Sequence, residues 1–170
     1  MTNAMNDSQQ SVSQGAVKLT TSEKWTAILF LLSTSLIGNA PAILTFAFDP
    51  SASHRIGLTE IFIPGWVFTT VFIFNYAGMG IATWMIWRKR RVADVSVPLV
   101  VFAAAFIETL LFWATDSLRM TATIDVIGLT LAYTVAWVYS RYEKAAVWWL
   151  IPWLVWMPFT TAVKLWLLWK

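Results

Sequence analysis

The sequence predicts an all-α integral membrane protein, a compact bundle of five transmembrane helices. Three observations point there. Within Ile61 to Arg91, no charged residue stands between Pro64 and Trp87, a run longer than the roughly 20 apolar residues a helix needs to cross hydrocarbon. Of 170 residues, 58% are hydrophobic and 12% charged, where a soluble domain carries about 25% charge. Further apolar stretches follow one another through short charged connections, which implies antiparallel helical neighbours.

Residues 1–22 are rich in Ser, Gln, Asn and Thr and are expected to form a flexible tail. They lack the basic-then-apolar pattern of a cleaved signal peptide. The transmembrane domain is expected over 23–170. Its first span is placed at about 25–48, with Ser22, Glu23 and Lys24 at its start, Asp49-Pro50 at its end and Pro41 inside as a kink site. The connection to Glu60 is the longest and holds His54. The second span, about 61–87, opens at Pro64-Gly65-Trp66, where the missing proline N–H would have been unpaired anyway. It closes on the cations Arg88 to Arg91. The third span is placed at about 95–115, the fourth at about 120–139 after the turn Asp116–Arg119. The fifth, about 145–169, follows the loop Arg141–Lys144 and is interrupted by Pro152 and Pro158.

The net charge of +3 lies in short loops beside apolar spans. The positive-inside rule accounts for it, so the expected partner is the lipid bilayer and not nucleic acid. The tail, the Arg88–Arg91 loop and the Arg141/Lys144 loop fall on one face. This puts the N-terminus in the cytoplasm and, after five crossings, the C-terminus outside. Trp25, Trp84, Trp87, Trp148, Trp149, Trp166 and Trp169 lie near span ends and fit interfacial belts. With no Cys and one His, the chain has no disulfide, no thiolate metal site and no His-rich metal or di-haem site.

Glu108, Asp125 and Lys164 fall inside the spans. Each costs at least about 2.5–3.5 kcal/mol near a helix centre, so each is a candidate functional residue. Counting residues from the span ends puts all three at a common depth, roughly 10 Å from one face at 1.5 Å per residue. Asp125 shares its helix face with Thr121, Ala122, Gly128, Ala132 and Ala136, small residues that suit close interhelical contact. Lys164 shares its face with Thr160, Trp153 and Trp149, with Trp156 at the edge. Two readings stand side by side: a structural ion pair or a snorkelling lysine, and a ligand pocket lined by indoles and charges. Catalytic readings find less support. Five spans do not match the usual architecture for retinal on a lysine, and no nucleophile or metal motif accompanies Glu108 and Asp125 as a general acid/base pair.

Pro64-Gly65-Trp66-Val67-Phe68, Tyr76 and Met79-Gly80-Ile81-Ala82 follow the second-helix pattern of the TspO/MBR family, the translocator or tryptophan-rich sensory proteins. Thr123-Ile124-Asp125 approximates the family's fourth-helix Ala-Leu-Val-Asp motif. Pro152-Trp153-Leu154-Val155-Trp156-Met157-Pro158-Phe159-Thr160-Thr161-Ala162-Val163-Lys164 follows its fifth-helix motif. The chain thus resembles this family over about 60–168, with the same number of helices. It departs at Phe72, usually Trp, at Trp153, usually Tyr, and at Val163-Lys164, usually Leu-Asn. In the third helix Glu108 and its neighbours replace the usual Asn and Trp.

The resemblance implies a receptor, sensor or transporter that binds a hydrophobic ligand of the tetrapyrrole, sterol or isoprenoid class between its helices, with no cofactor required. The candidate ligand-binding residues are Phe68, Tyr76, Glu108, Phe112, Asp125, Trp153, Trp156, Phe159 and Lys164. The aromatic members would bury flat apolar surface, and Glu108, Asp125 and Lys164 would set polarity and orientation. The alternative is a non-catalytic membrane subunit whose charges form a structural ion pair. In that reading Gly78 and Ala82, spaced small-x-x-x-small, could pack a partner or a second copy as a homodimer.

Overall fold

The computed structural model describes residues 19–48, 65–90, 103–104, 107, 111 and 117–170; the side chains of positions 42, 45, 46, 65, 68 and 90 also lie outside that description. Among the described residues the chain is helical, with four long helices: α1 (Thr21–Phe48), α2 (Gly65–Arg90), α3 (Leu118–Tyr142) and α4 (Lys144–Trp169). Ala103, Ala104, Ile107 and Leu111, within the predicted third span, are also helical. The remainder of that span, the connection at 49–64 and the tail up to residue 18 fall outside the described residues.

The helix starts are explained by their caps. At α1, Thr20 N–H donates to Glu23 Oε2 (2.9 Å) and Glu23 N–H donates to Thr20 Oγ1 (3.2 Å). This reciprocal box pairs backbone donors that a helix start leaves open. The start signal is therefore Thr20 with Glu23, two residues ahead of the expected Ser22. Ser117 caps α3 through the Met120 N–H. The expected loop at Arg141–Lys144 contracts to the single extended residue Glu143. Its N–H closes α3 on the Tyr139 carbonyl (2.8 Å), and its carboxylate opens α4 on the Ala145 N–H (3.2 Å). One residue thus serves as C-cap and N-cap, and α3 and α4 must run antiparallel. Pro41, Pro152 and Pro158 all lie inside unbroken helices, so the predicted interruption of the fifth span is not seen. Neighbouring helices and local adjustments re-satisfy the backbone groups a proline frees in such helices.

In space the helices lie in the order α1, α2, α4, α3, with α2 touching α3 only lightly. The core joins Tyr76, Met79, Ala82 and Ile86 of α2 to Ala132, Val135, Ala136 and Tyr139 of α3 and to Ala146, Leu150, Trp153 and Met157 of α4. The expected small-residue face of α3 is buried as a set: Thr121, Ala122, Gly128, Ala132 and Ala136. Close approach elsewhere depends on glycine. A Cβ at Gly78 would strike the carbonyl oxygen of Trp149 on α4, and one at Gly80 would strike Thr34 and the Phe30 carbonyl on α1. Gly78 and fully buried Ala82 are therefore consumed inside the chain. This corrects the expectation that they form a docking stripe for a second copy.

One end of the bundle is tied by charge. Arg88 Nε lies 3.6 Å from Glu23 Oε1, and Lys89 pairs with Glu143 at 2.5 Å, which gathers the start of α1, the end of α2 and the α3–α4 junction. The faces grouped together from the loop charges are thus grouped in space. The hydrogen bond from Lys89 holds the Glu143 carboxyl below its ordinary 4.5, assisted by the Ala145 N–H and the positive charges of Lys89 and Arg88. Trp84 corrects the belt assignment. It is buried, with the Arg88 guanidinium 5.4 Å from its ring centre, and Trp87 packs on Phe30 at 5.7 Å. Trp25, Trp148, Trp149, Trp166 and Trp169 are exposed, as an interfacial belt requires.

Candidate functional site

The site is built where α4 sits between α2 and α3. Toward α3, Lys164 Nζ donates to Asp125 Oδ1 at 2.8 Å. The two side chains are 2% and 4% exposed. Asp125 stands seven residues into α3 and Lys164 five residues before the end of α4, about 10 Å and about 7 Å from that end at 1.5 Å per residue. The structure therefore joins two of the three residues that the depth estimate placed level; Glu108, the third, lies outside the described residues. Burial and partnering go together here. An ammonium or carboxylate taken out of water alone costs several kcal/mol, and a close hydrogen-bonded partner offsets much of that.

The pair leaves one group unanswered. Asp125 Oδ2 is buried and has no hydrogen-bond partner among the described residues. Of the nearby hydroxyls, Thr121 Oγ1 donates to the Leu118 carbonyl at 2.9 Å, while Thr160 Oγ1, 3.2 Å from the Met157 carbonyl, also lies beside the Asp125 carboxyl. A carboxylate accepts at both oxygens, so the buried Oδ2 keeps capacity for a further donor.

Toward α2, α4 presents aromatics. Tyr76 stacks on Phe72 (centroids 6.2 Å), Phe72 meets Trp156 edge-on (6.3 Å), and Trp156 tilts against Phe159 (5.6 Å). These separations lie in the range where aromatic pairs attract beyond their area burial. Phe159 is half exposed at the outer end of the run, while Tyr76 is buried at the inner end with its ring against Gly38 of α1. Trp153 is buried in the core.

The structure thus assembles six of the nine expected residues: Asp125 with Lys164, Tyr76 with Trp156 and Phe159, and Trp153 in the core. Glu108 and Phe112 lie outside the described residues, as does the side chain of Phe68. Phe72, the link between the helices, was absent from the expected set. Its signal was its position, four residues before Tyr76 on one helical face. Two buried polar features of α2 were also missed. Asn75 Oδ1 has no partner among the described residues, and Thr83 Oγ1 bonds the Tyr139 hydroxyl at 2.8 Å.

The TspO/MBR family model matches residues 32–170. The chain belongs to the TspO/MBR family. The match begins inside α1 and runs through Lys170, so it takes in all of α2, α3 and α4. Comparisons with curated proteins and with solved structures return no match. Thr69–Lys89, Leu118–Tyr142 and Lys144–Trp169 are each long and apolar enough to span a bilayer. With the family, they identify an integral membrane protein. Among the described residues no cluster of His, Cys, Asp and Glu could hold a metal ion.

Proposed function

We propose that this TspO/MBR protein is a membrane sensor or transporter that binds a hydrophobic molecule of the tetrapyrrole, sterol or isoprenoid class between its helices. The supporting observation is the buried Asp125–Lys164 pair with an unanswered acceptor, next to an aromatic run on the same helix. A buried acceptor without a donor costs about 1–3 kcal/mol. A ligand N–H or O–H at Oδ2 removes that cost while its apolar body lies against Trp156, Phe72 and Phe159. Apolar burial contributes about 25 cal/mol per Å². Because Lys164 already balances the charge of Asp125, a neutral donor suits the site better than a second cation.

In this reading the predicted third span forms a fifth helix and brings Glu108 and Phe112 to the pocket. The basic end of the bundle faces the cytoplasm, by the positive-inside rule. The second reading, a non-catalytic membrane subunit with a purely structural ion pair, draws support from the short 2.8 Å Lys164–Asp125 contact, which needs no ligand to form.

Tryptophan fluorescence separates the two. Purified protein titrated with protoporphyrin IX in detergent should show saturable quenching, weakened at least about tenfold by Phe72→Ala. Lys164→Asn restores the residue usual at this place in the family and should tighten porphyrin binding. Unsaturable quenching equal in all variants supports the structural-subunit reading and rejects the pocket.

A further inference from the structure

An open groove of about 350 Å³ lies at the opposite end of α3 and α4 from the ion pair, lined by Ser140, Lys144, Val147, Trp148 and Ile151. Val147, Trp148 and Ile151 fall at steps of three, four and seven from Lys144, so the four form one face of the first two turns of α4. The walls are almost wholly apolar, and Trp148 is 73% exposed beside them. The Ser140 hydroxyl donates to the Trp137 carbonyl at 2.7 Å, which leaves no strong donor within the trench except at its mouth.

That mouth carries Lys144. Three of the cations around it are engaged: Arg88 with Glu23, Lys89 with Glu143, and Arg141 over the Trp137 ring at 4.4 Å. Lys144 is exposed and forms no ion pair among the described residues. The surrounding end is basic, with Lys24, Arg88, Lys89, Arg141 and Lys144 against Glu23 and Glu143. It is also the end at which Thr69–Lys89 closes and Lys144–Trp169 opens, and therefore lies at the edge of the hydrocarbon.

A free cation above an apolar trench at that depth matches one chemistry. We propose that the groove seats an acyl chain of an anionic phospholipid, with its phosphate on the Lys144 ammonium and the chain along Val147, Trp148 and Ile151. A free phosphate has no use for the apolar walls, and an uncharged sterol has none for the lysine. Long basic side chains at a membrane interface favour anionic headgroups in this way.

Native mass spectrometry of the full chain tests the assignment. Protein released from detergent containing equal phosphatidylglycerol and phosphatidylcholine of matched chains should retain one phosphatidylglycerol, preferred about fivefold, the gain expected from one lysine near an anionic surface. Lys144→Gln should bring the preference to about one without lowering the thermal midpoint. Ile151→Trp, which fills the trench, should lose the retained lipid of either kind. Equal retention by the unaltered chain, or a preference that survives Lys144→Gln, overturns the proposal. Displacement of the lipid by millimolar inorganic phosphate also overturns it, in favour of a simple anion site.

Discussion

Removing Lys164 while keeping Asp125 makes the sharpest perturbation the structure offers. In Lys164→Met the apolar stem is kept and the ammonium lost, so a carboxylate with a side chain 4% exposed loses its 2.8 Å partner. Breaking a buried pair by deleting one member costs about 3–5 kcal/mol. For a chain of this length each kcal/mol moves the thermal midpoint by about 2–4 °C, so a drop of about 6–20 °C is expected. The double variant Asp125→Leu with Lys164→Met removes both desolvation penalties and should return most of that loss, because apolar replacements of buried pairs are often neutral or stabilising. The assay is thermal unfolding in detergent followed by tryptophan fluorescence. A shift under about 2 °C in Lys164→Met, or a double variant as damaged as the two singles summed, would refute the reading of Asp125 and Lys164 as a coupled, desolvated pair.

Three other outcomes follow from the packing and the caps. Gly78→Ala should destabilise by about 1–3 kcal/mol and by more than Gly38→Ala, since the first meets the Trp149 carbonyl and the second only the Tyr76 ring; paired denaturation midpoints check the order. Thr83→Val should cost about 1–3 kcal/mol by stranding the buried Tyr139 hydroxyl, and adding Tyr139→Phe should recover part of it. Glu143 has a lowered folded-state value, so its pairing stabilises fully above its ordinary 4.5 and the contribution fades as pH falls through and below that value. Glu143→Gln should therefore lower stability slightly at pH 7, by no more than about 1 kcal/mol for so accessible a pair, and by progressively less as pH falls below 4.5.

Periodicity made the helices legible because membrane spans must be long, apolar and internally hydrogen-bonded. The buried face of α3 could be read for the same reason: Thr121, Ala122, Gly128, Ala132 and Ala136 share a phase and leave room for a neighbour. Helical rise alone set Glu108, Asp125 and Lys164 level, but it could not say which carboxylate Lys164 meets; the packing of α3 on α4 supplies Asp125. Phase could not say which neighbour a glycine serves. Gly78 fits an intermolecular stripe as well as an internal one, and only the approach of the Trp149 backbone decides it. Nor could end position separate Trp84, buried under Arg88, from Trp148 on the surface, since both stand near a basic loop. Phe72 was noticed as a departure from the family pattern, but its role as the link from Tyr76 to Trp156 depends on how α2 and α4 cross. Thr20 was obscured by Ser22, a plausible cap two residues too far in, while Glu23 proved to be its capping partner.

The central claim is that the seam of Asp125, Lys164 and the aromatic run holds a hydrophobic ligand. Unbiased mass spectrometry of small molecules carried through detergent purification tests it most directly. The account predicts one apolar compound with an N–H or O–H group at near one per chain, depleted in both Phe72→Ala and Asp125→Leu/Lys164→Met. A preparation with no such compound, or one retained equally by both variants, contradicts it.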